Sequence, residues 1–312
     1  MLILDLVLFI VFLFILIKSA EYATRYSTRI ARIFQISEFV FSFFIVAIIS
    51  AIPEGTISVI SALKGVPEFG LGALLGSNVA DLTLVFGIVA LLSAKGINVK
   101  SKILNKDFFY LALLLFPVVL GFDGHFSRVD GILLVLGGLF FFFTLSIESR
   151  LFRKKFSNIK DRSLYKNVFL LLLSLAVLLV SANYTVKFGA DFANDLGVPL
   201  VLIGLTIVAI GTCLPEMIFS IKAIRANHED LALGDLLGTV ITDATILIGV
   251  IAIISPFSFD TMIIYVTGIA MFLAGLLTIV FITSDQVLSK KEGIYLLIFY
   301  ALYLMVEIAV NI

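Results

Sequence analysis

The chain has 312 residues, carries no formal net charge, and is 61% hydrophobic with only 14% charged residues. Soluble domains are about 45–50% apolar and about 25% charged, so this composition excludes a water-soluble globular protein. The balanced charge gives no indication of nucleic-acid binding. The single cysteine, Cys213, excludes an internal disulfide and a multi-cysteine metal site.

The apolar residues come in runs long enough to cross a bilayer, which takes about 20 residues in a helix. The first run lacks the basic flank and the small-residue cleavage site of a signal peptide, so we interpret it as a span. The sequence therefore predicts an all-α membrane protein with ten transmembrane helices. The predicted spans are 2–17, 37–62, 70–93, 107–122, 129–147, 167–186, 198–224, 231–256, 262–281 and 292–311.

Basic residues are distributed unevenly among the predicted loops. Loops after odd-numbered spans hold 19 Lys and Arg residues, whereas loops after even-numbered spans hold 3. Because cytoplasmic loops carry the excess of basic residues, the odd loops are predicted to be cytoplasmic, including the basic loop 148–166. Both termini are then predicted to lie outside, in a multi-pass protein of the cell membrane whose surroundings are the lipid bilayer.

The two halves of the chain resemble each other at a constant offset of 162 residues. Between 42–93 and 204–255, 17 of 52 positions are identical without a gap. Each half has five predicted spans, an odd number, so the copies would enter the membrane from opposite sides. Such an inverted five-plus-five repeat is typical of secondary transporters. We divide the chain into a first repeat (1–147), the basic loop, and a second repeat (167–312).

Four acidic residues fall inside predicted spans: Glu54, Asp81, Glu216 and Asp243. A carboxylate at the bilayer centre costs roughly 2.5–3.5 kcal/mol, and these spans contain no central Lys or Arg to pair with it. The pattern therefore predicts that a soluble cation is the partner. Protonated carboxylates with a purely structural role are the alternative.

Both glutamates directly follow a proline, which removes one helical hydrogen bond and displaces another. Freed carbonyls are tolerated at membrane depth where they line a cavity, and here they are expected around Ala47–Ser50 and Ala209–Thr212. Hydroxyls lie one helical turn before each aspartate, on the same face. The hydroxyl groups expected to contribute are those of Ser50, Ser77, Thr212 and Thr239.

A site built only of oxygen ligands suits calcium, which takes about 6–8 of them. Softer metals would be expected to recruit His or Cys. Four ionised carboxylates exceed one divalent charge by two, so sodium ions or protons are expected to neutralise the rest. The residues indicate no cofactor and no enzyme, since neither a GxGD nor a GxSxG protease motif is present.

The segments GTCLPE (211–216), GALLGSNVADLTLVFG (72–87) and ALGDLLGTVITDATILIG (232–249) resemble the alpha repeats of the sodium/calcium exchanger family. The resemblance implies ten spans and an antiporter that works by alternating access, with the first and sixth spans sliding past the rest. It implies that Glu54 and Glu216 ligate calcium and that Asp81 and Asp243 are the polar residues of the following helix. The sodium ligands it implies are Ala47, Ser50, Ser77, Ala209, Thr212 and Thr239.

The sequence departs from the family pattern in ways that leave the coupling ion open. The first repeat reads ISAIPE, Ala73 and Asp235 stand where asparagine is usual, and Val240 replaces another asparagine. Asp81 and Asp243 are both acidic, where one half often has asparagine. We predict calcium export coupled to sodium influx, with proton/calcium or other divalent exchange as the alternative and a cation channel as a distant one. No obligatory protein partner is inferred.

Two further acidic residues lie near the ends of predicted spans. Asp235 is expected either to line the entry path or to cap its helix. Glu307, in the last span, is expected to reach the outer surface near the C-terminus.

Overall fold

The computed structural model describes residues 2–33, 50–93, 96–98, 107–148, 164–225, 229–285 and 287–311. Regular structure in these ranges is helical apart from four two-residue strands. Joined across their π-helical turns, the helices are α1 (Leu2–Ile33), α2 (Ile52–Leu63), α3 (Pro67–Leu92), α4 (Asp107–Leu120), α5 (Arg128–Glu148), α6 (Leu164–Leu196), α7 (Leu200–Arg225), α8 (229–254), α9 (261–285) and α10 (Lys290–Asn311). The strands are β1 (Ile97–Asn98), β2 (His125–Phe126), β3 (Phe257–Ser258) and β4 (Val287–Leu288).

Seven helices in the described ranges are long and apolar enough to cross a membrane, namely α1, α3, α6, α7, α8, α9 and α10. Helices α2 and α4 are apolar but shorter there. Residues 34–49 and most of the basic loop 148–166 lie outside the described ranges. The chain is therefore a membrane protein of helices, and the count of ten spans stays a prediction.

Helices α1 and α6 are much longer than the spans 2–17 and 167–186 predicted for them. Helix α1 continues to Ile33, and α6 covers Leu164–Leu196. The predicted ends were wrong because they were placed where the apolar run stops. Neither extension contains a proline, so nothing in the backbone interrupts the helical hydrogen bonds beyond that point.

The two long helices pack along each other, away from most of the bundle. Phe12 of α1 stacks on Tyr184 of α6, with ring centroids 4.6 Å apart, and on Phe188 at 5.7 Å. Their other faces expose many large apolar side chains, whereas α3 and α8 are almost completely buried. The structure is thus a buried central group of helices with a peripheral pair beside it.

Helix α3 lies directly against α7 through two of the glycines in its sequence motif. A Cβ atom on Gly72 would lie 2.6 Å from the Val201 carbonyl oxygen, and one on Gly76 would lie 2.5 Å from that of Leu205. These positions admit no larger residue without separating the helices. The small-residue spacing is therefore a close-packing feature, as such spacings generally are in membranes.

Close backbone crossings also hold α5 to α8 and α10 to α3. A Cβ on Gly131 would lie 2.6 Å from the Gly249 oxygen, and a Cβ on Gly87 would lie 2.8 Å from the Gly293 oxygen. Gly249 follows Gly87 by 162 residues, and Gly293 follows Gly131 by the same interval. The same type of crossing therefore occurs once for each half of the chain.

The four short strands form two antiparallel pairs, each joining a loop of one half to a loop of the other. Strand β1 pairs with β4, which places Ile97 opposite Leu288, and β2 pairs with β3, which places His125 opposite Ser258. The loops of β1 and β4 are both predicted to be cytoplasmic, and those of β2 and β3 are both predicted to lie outside. Paired loops must lie at the same face of a membrane, so the pairings agree with the predicted alternation.

We expect Gly131→Ala to lower the free energy of unfolding by about 1–3 kcal/mol, because the added methyl group meets backbone that cannot rotate away. The measurement is thermal unfolding of the purified protein in detergent. Gly137→Ala in the same helix is the matched control, since its Cβ would meet only side-chain atoms, those of Phe116 at 3.1 and 3.3 Å and of Leu113 at 3.6 Å. Equal stability of the two variants would contradict the importance of the crossing.

Candidate cation site

Both glutamates lie in the first turn of a helical segment that starts beside a proline. In α7, the segments Ala209–Thr212 and Leu214–Arg225 are separated at Cys213, and Glu216 follows in the first turn of the second segment. Because Pro215 has no N–H group, it cannot continue the hydrogen-bond pattern across this break. The unpaired N–H groups of a helix start carry partial positive charge, which favours a carboxylate there.

Helix α2 repeats this arrangement in the first half. It begins at Ile52, with Pro53 at its start and Glu54 in its first turn. Both proline–glutamate pairs therefore form helix starts, as the predicted interruption of the helical hydrogen bonds requires.

Each aspartate lies in a π-helical turn inside a buried helix. Asp81 begins the turn Asp81–Val85 of α3, and Asp243 is the second residue of the turn Thr242–Leu247 of α8. Such turns are rare and are frequently found at functional sites, because the wider backbone leaves some carbonyls without their usual partner. Sequence reasoning located both aspartates but contained no signal for the π-helical geometry around them.

The four predicted carboxylates are buried together in the centre of the protein. Glu54, Asp81, Glu216 and Asp243 are each at most 1% exposed. In the part of the chain that the structure describes, no Lys or Arg forms an ion pair with any of them.

Several carboxylate oxygens in this group have no hydrogen-bond donor. They are Oε2 of Glu54, Oδ1 of Asp81, both oxygens of Glu216, and Oδ1 of Asp243. A buried acceptor without a donor costs free energy, and an unpaired buried charge costs far more. The arrangement is therefore suited to binding positive charge.

The four carboxylates do not surround a single point. Within the described residues, no group of three or more His, Cys, Asp or Glu side chains is close enough to hold one metal ion. The prediction that all of them form one compact ligand set is therefore not confirmed by this conformation.

The predicted hydroxyls lie among the carboxylates, but their partners differ from those expected. Ser77 of α3 lies 3.3 Å from Oδ2 of Asp243 on α8 and 3.0 Å from the Leu74 carbonyl oxygen. The sequence placed Ser77 on one face with Asp81, whereas the structure joins it to the aspartate of the other half.

Thr212 lies beside the carboxyl group of Glu54, and its hydroxyl is within 3.1 Å of the Val208 carbonyl oxygen and 3.2 Å of the Ala209 carbonyl oxygen. The Ala209 carbonyl oxygen also accepts a hydrogen bond from the Cys213 N–H. This predicted ligand therefore takes part in a helical hydrogen bond in the structure. Thr239 is buried, at 1% exposure. Ala47 lies outside the described residues.

Asp235 is a fifth buried carboxylate, which the predicted ligand set did not include. It is 0% exposed, its Oδ1 accepts a hydrogen bond from the Ser50 hydroxyl at 2.8 Å, and its Oδ2 has no partner. Its charge acts on Asp81 and Glu216. It is therefore part of the acidic centre rather than a helix cap. The sequence did contain a signal for this role. Asp235 is an acidic residue inside a predicted span, and the matching position of the first half is Ala73.

The expectation that Glu307 reaches the outer surface was wrong. Glu307 is 0% exposed, and the Thr267 hydroxyl of α9 donates to its Oε2 at 2.8 Å. A glutamate near the end of an apolar helix usually extends its carboxylate toward water. The donor that keeps it inside lies on another helix and cannot be identified from the local sequence.

Comparison with known proteins assigns the chain to a family. The family model described as "Sodium/calcium exchanger protein" matches residues 4–147 and 166–309. The chain belongs to the sodium/calcium exchanger family. It is therefore a membrane antiporter of ions and not an enzyme, and the channel alternative receives no support.

Individual relatives of this exchanger agree with that assignment. It is 27% identical to the sodium/calcium exchanger MaX1 of Methanosarcina acetivorans, over 93% of this chain and 95% of the relative. The putative antiporter CaxA of Alkalimonas amylolytica is 34% identical, over 78% and 79% of the two chains. A solved structure of the sodium-calcium exchanger NCX_Mj, soaked with 2.5 mM Na+ and 0.1 mM Ca2+, matches with a TM-score of 0.69 and 27% identity, and covers 97% of this chain and 98% of that one.

We expect Asp81→Asn and Asp243→Asn each to stabilise the cation-free exchanger by about 1–3 kcal/mol, because each removes one of several mutually repelling, incompletely bonded carboxylates. The measurement is thermal unfolding in a buffer with a chelator and with choline as its cation. Asp130→Asn is the control, because Asp130 bonds to Ser127 at a helix start outside the acidic centre. If both site substitutions destabilised the protein, the expectation that the buried carboxylates repel one another would be contradicted.

Proposed function

We propose that this exchanger exports calcium in exchange for sodium entering the cell, by alternating access. The observation that carries the proposal is the buried acidic centre, whose oxygens lack donors and whose carboxylates lack basic partners within the described residues. Oxygen ligands suit calcium and sodium, whereas softer metals prefer His and Cys. The printed names of MaX1 and NCX_Mj, both sodium/calcium exchangers, point the same way.

The proposed calcium ligands are Glu54 and Glu216, which occupy matching helix starts in the two halves. Asp81 and Asp243 lie next to them and complete the acidic group. Sodium is proposed to bind mainly through hydroxyl and carbonyl oxygens. The residues proposed for sodium are Ala47, Ser50, Ser77, Ala209, Thr212 and Thr239.

Charge balance provides the coupling in this proposal. Four carboxylates carry two more negative charges than one calcium ion can neutralise. In a medium of low dielectric constant such an imbalance is costly, so the acidic centre favours states in which further monovalent ions or protons are bound. Calcium and its counter-ions then compete for the same charge, which is what exchange requires.

Proton/calcium exchange is the second candidate, and it is favoured by one specific observation. Asp81, Asp243 and Asp235 are all acidic and buried in the same centre as the two glutamates, so these five carboxylates, if ionised, exceed the charge of one calcium ion by three. A carboxyl group can carry a proton in place of a metal cation. The coupling ion is therefore tested directly below.

We also propose that the chain crosses the cell membrane ten times and that its two halves form an inverted five-plus-five repeat. The two ranges matched by the family model begin and end 162 residues apart, which supports a duplicated unit. The paired glycine crossings and the two strand pairs support an exact correspondence of elements between the halves. In this arrangement both termini lie outside and the loop 148–166 is cytoplasmic.

The peripheral pair α1 and α6 is proposed to be the part that slides during alternating access. These helices bury aromatic side chains mainly against each other and expose their remaining faces. Helix α1 meets the interrupted region of α7 through Leu13, whose side chain lies against Gly211. A displacement of this pair would therefore reach the backbone next to Glu216.

The direct test is uptake of radioactive calcium by proteoliposomes, with a sodium gradient and a pH gradient imposed separately. We expect uptake driven by the sodium gradient, and we expect Glu54→Gln and Glu216→Gln to reduce it to the level of protein-free liposomes. Glu68→Gln is the matched control, since Glu68 lies at the start of α3 outside the acidic centre. Uptake that follows only the pH gradient would establish the proton-coupled alternative, and calcium flux insensitive to both gradients would reject exchange.

The proposed orientation can be tested by labelling single cysteines in a Cys213→Ser background. Lys64 follows α2 on the proposed outer side, and Arg225 ends α7 on the proposed cytoplasmic side; both side chains are exposed. A membrane-impermeant maleimide should label Lys64→Cys in intact cells and Arg225→Cys only after lysis. The reverse result would invert the proposed orientation.

A further inference from the structure

We propose that the groove between α1 and α6 is a binding site for one anionic phospholipid, with the headgroup at its basic end and an acyl chain along its apolar floor. The groove lies on the peripheral pair of helices and uses none of the residues proposed as ion ligands. The inference therefore does not depend on which cations the protein exchanges.

Two adjoining cavities form the groove. Their volumes are about 360 and 330 Å³, and Ile15 and Val177 line both of them, so these residues lie where the cavities meet. On α6 the lining extends from Leu170 to Val180, which at about 1.5 Å per residue is about 15 Å. That length equals one leaflet of a hydrocarbon core about 30 Å thick. The groove is therefore long enough to hold an acyl chain across its leaflet.

The groove has an exposed apolar rim and a floor whose hydroxyls are already bonded. Leu173 and Val180 of the rim are 48% and 57% exposed. Ser19 and Ser174 are buried in the lining, and each donates to a carbonyl oxygen of its own helix at 2.7 Å. These hydroxyls need no further partner, so the groove offers mainly apolar contact to its occupant, which suits a hydrocarbon chain.

Basic side chains are concentrated at one end of the groove. Lys18 lines the larger cavity, and the guanidinium of Arg29 lies 5.7 Å from the ring centroid of Tyr26, another lining residue. From 18 to 33, α1 carries four basic residues and one acidic residue, Glu21. Clusters of basic residues beside a membrane span attract anionic lipid headgroups. The charge at this end is therefore complementary to a phosphate.

The contacts of Lys18 leave donors for that phosphate. Its Nζ donates to Oε2 of Glu21 at 2.9 Å, and an ammonium group has three donors. Glu21 also has Nζ of Lys222 at 3.8 Å from its other oxygen, so one carboxylate is shared between two lysines. The Lys18 side chain is 47% exposed. Positive charge and hydrogen-bond donors thus remain accessible at the end of the groove.

Two tyrosines mark the level at which the headgroup would lie. Tyr22 and Tyr26 line the same cavity, and their rings stack with centroids 6.3 Å apart. Tyrosine is enriched at the level of lipid headgroups, where its ring is in contact with hydrocarbon and its hydroxyl with water. From these rings the groove runs along α1 to Phe12, inside the apolar run that ends at Ile17. In the proposed orientation this is the cytoplasmic leaflet.

Charge favours a lipid over the other possible occupants. The loop 148–166 contains seven basic and two acidic residues, so the basic end of the groove would repel it. A second copy of the chain in the same membrane orientation would bring its own basic end to the same level, and like charges would meet there. An anionic phospholipid places its negative charge at this level and its hydrocarbon below.

The test measures lipid retention by the purified, full-length protein. Native mass spectrometry counts the lipids that remain bound after incubation with phosphatidylglycerol or with phosphatidylcholine of the same acyl chains. We expect one phosphatidylglycerol to be retained in preference to phosphatidylcholine, and Lys18→Gln and Arg29→Gln each to weaken its binding about fivefold. Val177→Phe should also reduce retention, because it fills the groove where the cavities meet and leaves the charge unchanged.

Matched controls separate the groove from general attraction to the surface. Lys291→Gln removes an exposed lysine at the start of α10, and Leu179→Phe adds bulk at an exposed position of α6 outside the groove. Both variants should retain phosphatidylglycerol like the wild type, and size-exclusion chromatography and thermal unfolding report whether every variant is folded. Equal losses in Lys18→Gln and Lys291→Gln would overturn the site, as would equal retention of the two lipids by the wild type.

Two parallel measurements distinguish the remaining outcomes. A dimer in the wild type that Val177→Phe converts to a monomer would show that a second copy occupies the groove, and would overturn the lipid site. Calcium uptake by the wild type tests the proposed function separately. Exchange without selective lipid retention would reject only the lipid site, whereas selective retention without calcium exchange would reject only the proposed function.

Discussion

The need to neutralise buried carboxylates is the constraint on which the rest of this exchanger depends. The acidic centre holds five buried carboxylates, those of Glu54, Asp81, Glu216, Asp235 and Asp243, and none of them forms an ion pair with Lys or Arg within the described residues. Removing an ionised group from water costs several kcal/mol even after the protein relaxes. The fold lowers this cost through helix starts that carry partial positive charge beside Glu54 and Glu216. In the proposed function, mobile cations neutralise the remainder.

Contacts between the halves determine the geometry of this centre. Ser77 lies against Asp243, and Ser50 donates to Asp235, so hydroxyls of the first half meet carboxylates of the second. The glycine crossings bring the backbones of α3 and α7 into contact and leave no room for lipid between them. Because the hydroxyl and the carboxylate of each pair belong to different halves, a small shift of one half relative to the other changes the available ligands. In the proposed alternating access, ion binding and the shift between the halves would therefore involve the same atoms.

The sequence was sufficient for the membrane class, the approximate helices and the four carboxylates, because hydropathy and intramembrane charge are strong, local signals. It was insufficient for the ends of α1 and α6, since a helix need not stop where its apolar residues stop. The π-helical turns at Asp81 and Asp243 were also missed, as they depend on how the surrounding helices pack. Glu307 was misplaced, and Asp235 was left with two alternative roles, for a related reason. The hydroxyls that hold them, those of Thr267 and Ser50, come from distant parts of the chain.

The differences between the halves say more about ion selection than their similarities do. Residues duplicated at the 162-residue interval, such as Glu54 and Glu216, can serve equally when the site opens to either side. Residues present in one half only cannot be explained by that symmetry. Asp235 faces the acidic centre where its counterpart is Ala73, and it adds negative charge without adding a basic partner. Retaining such a residue in a buried position is costly unless an ion is bound beside it for part of the cycle. The duplicated residues therefore fit the proposed exchange itself, whereas the unduplicated carboxylate adds one negative charge that the proposed charge balance has to include.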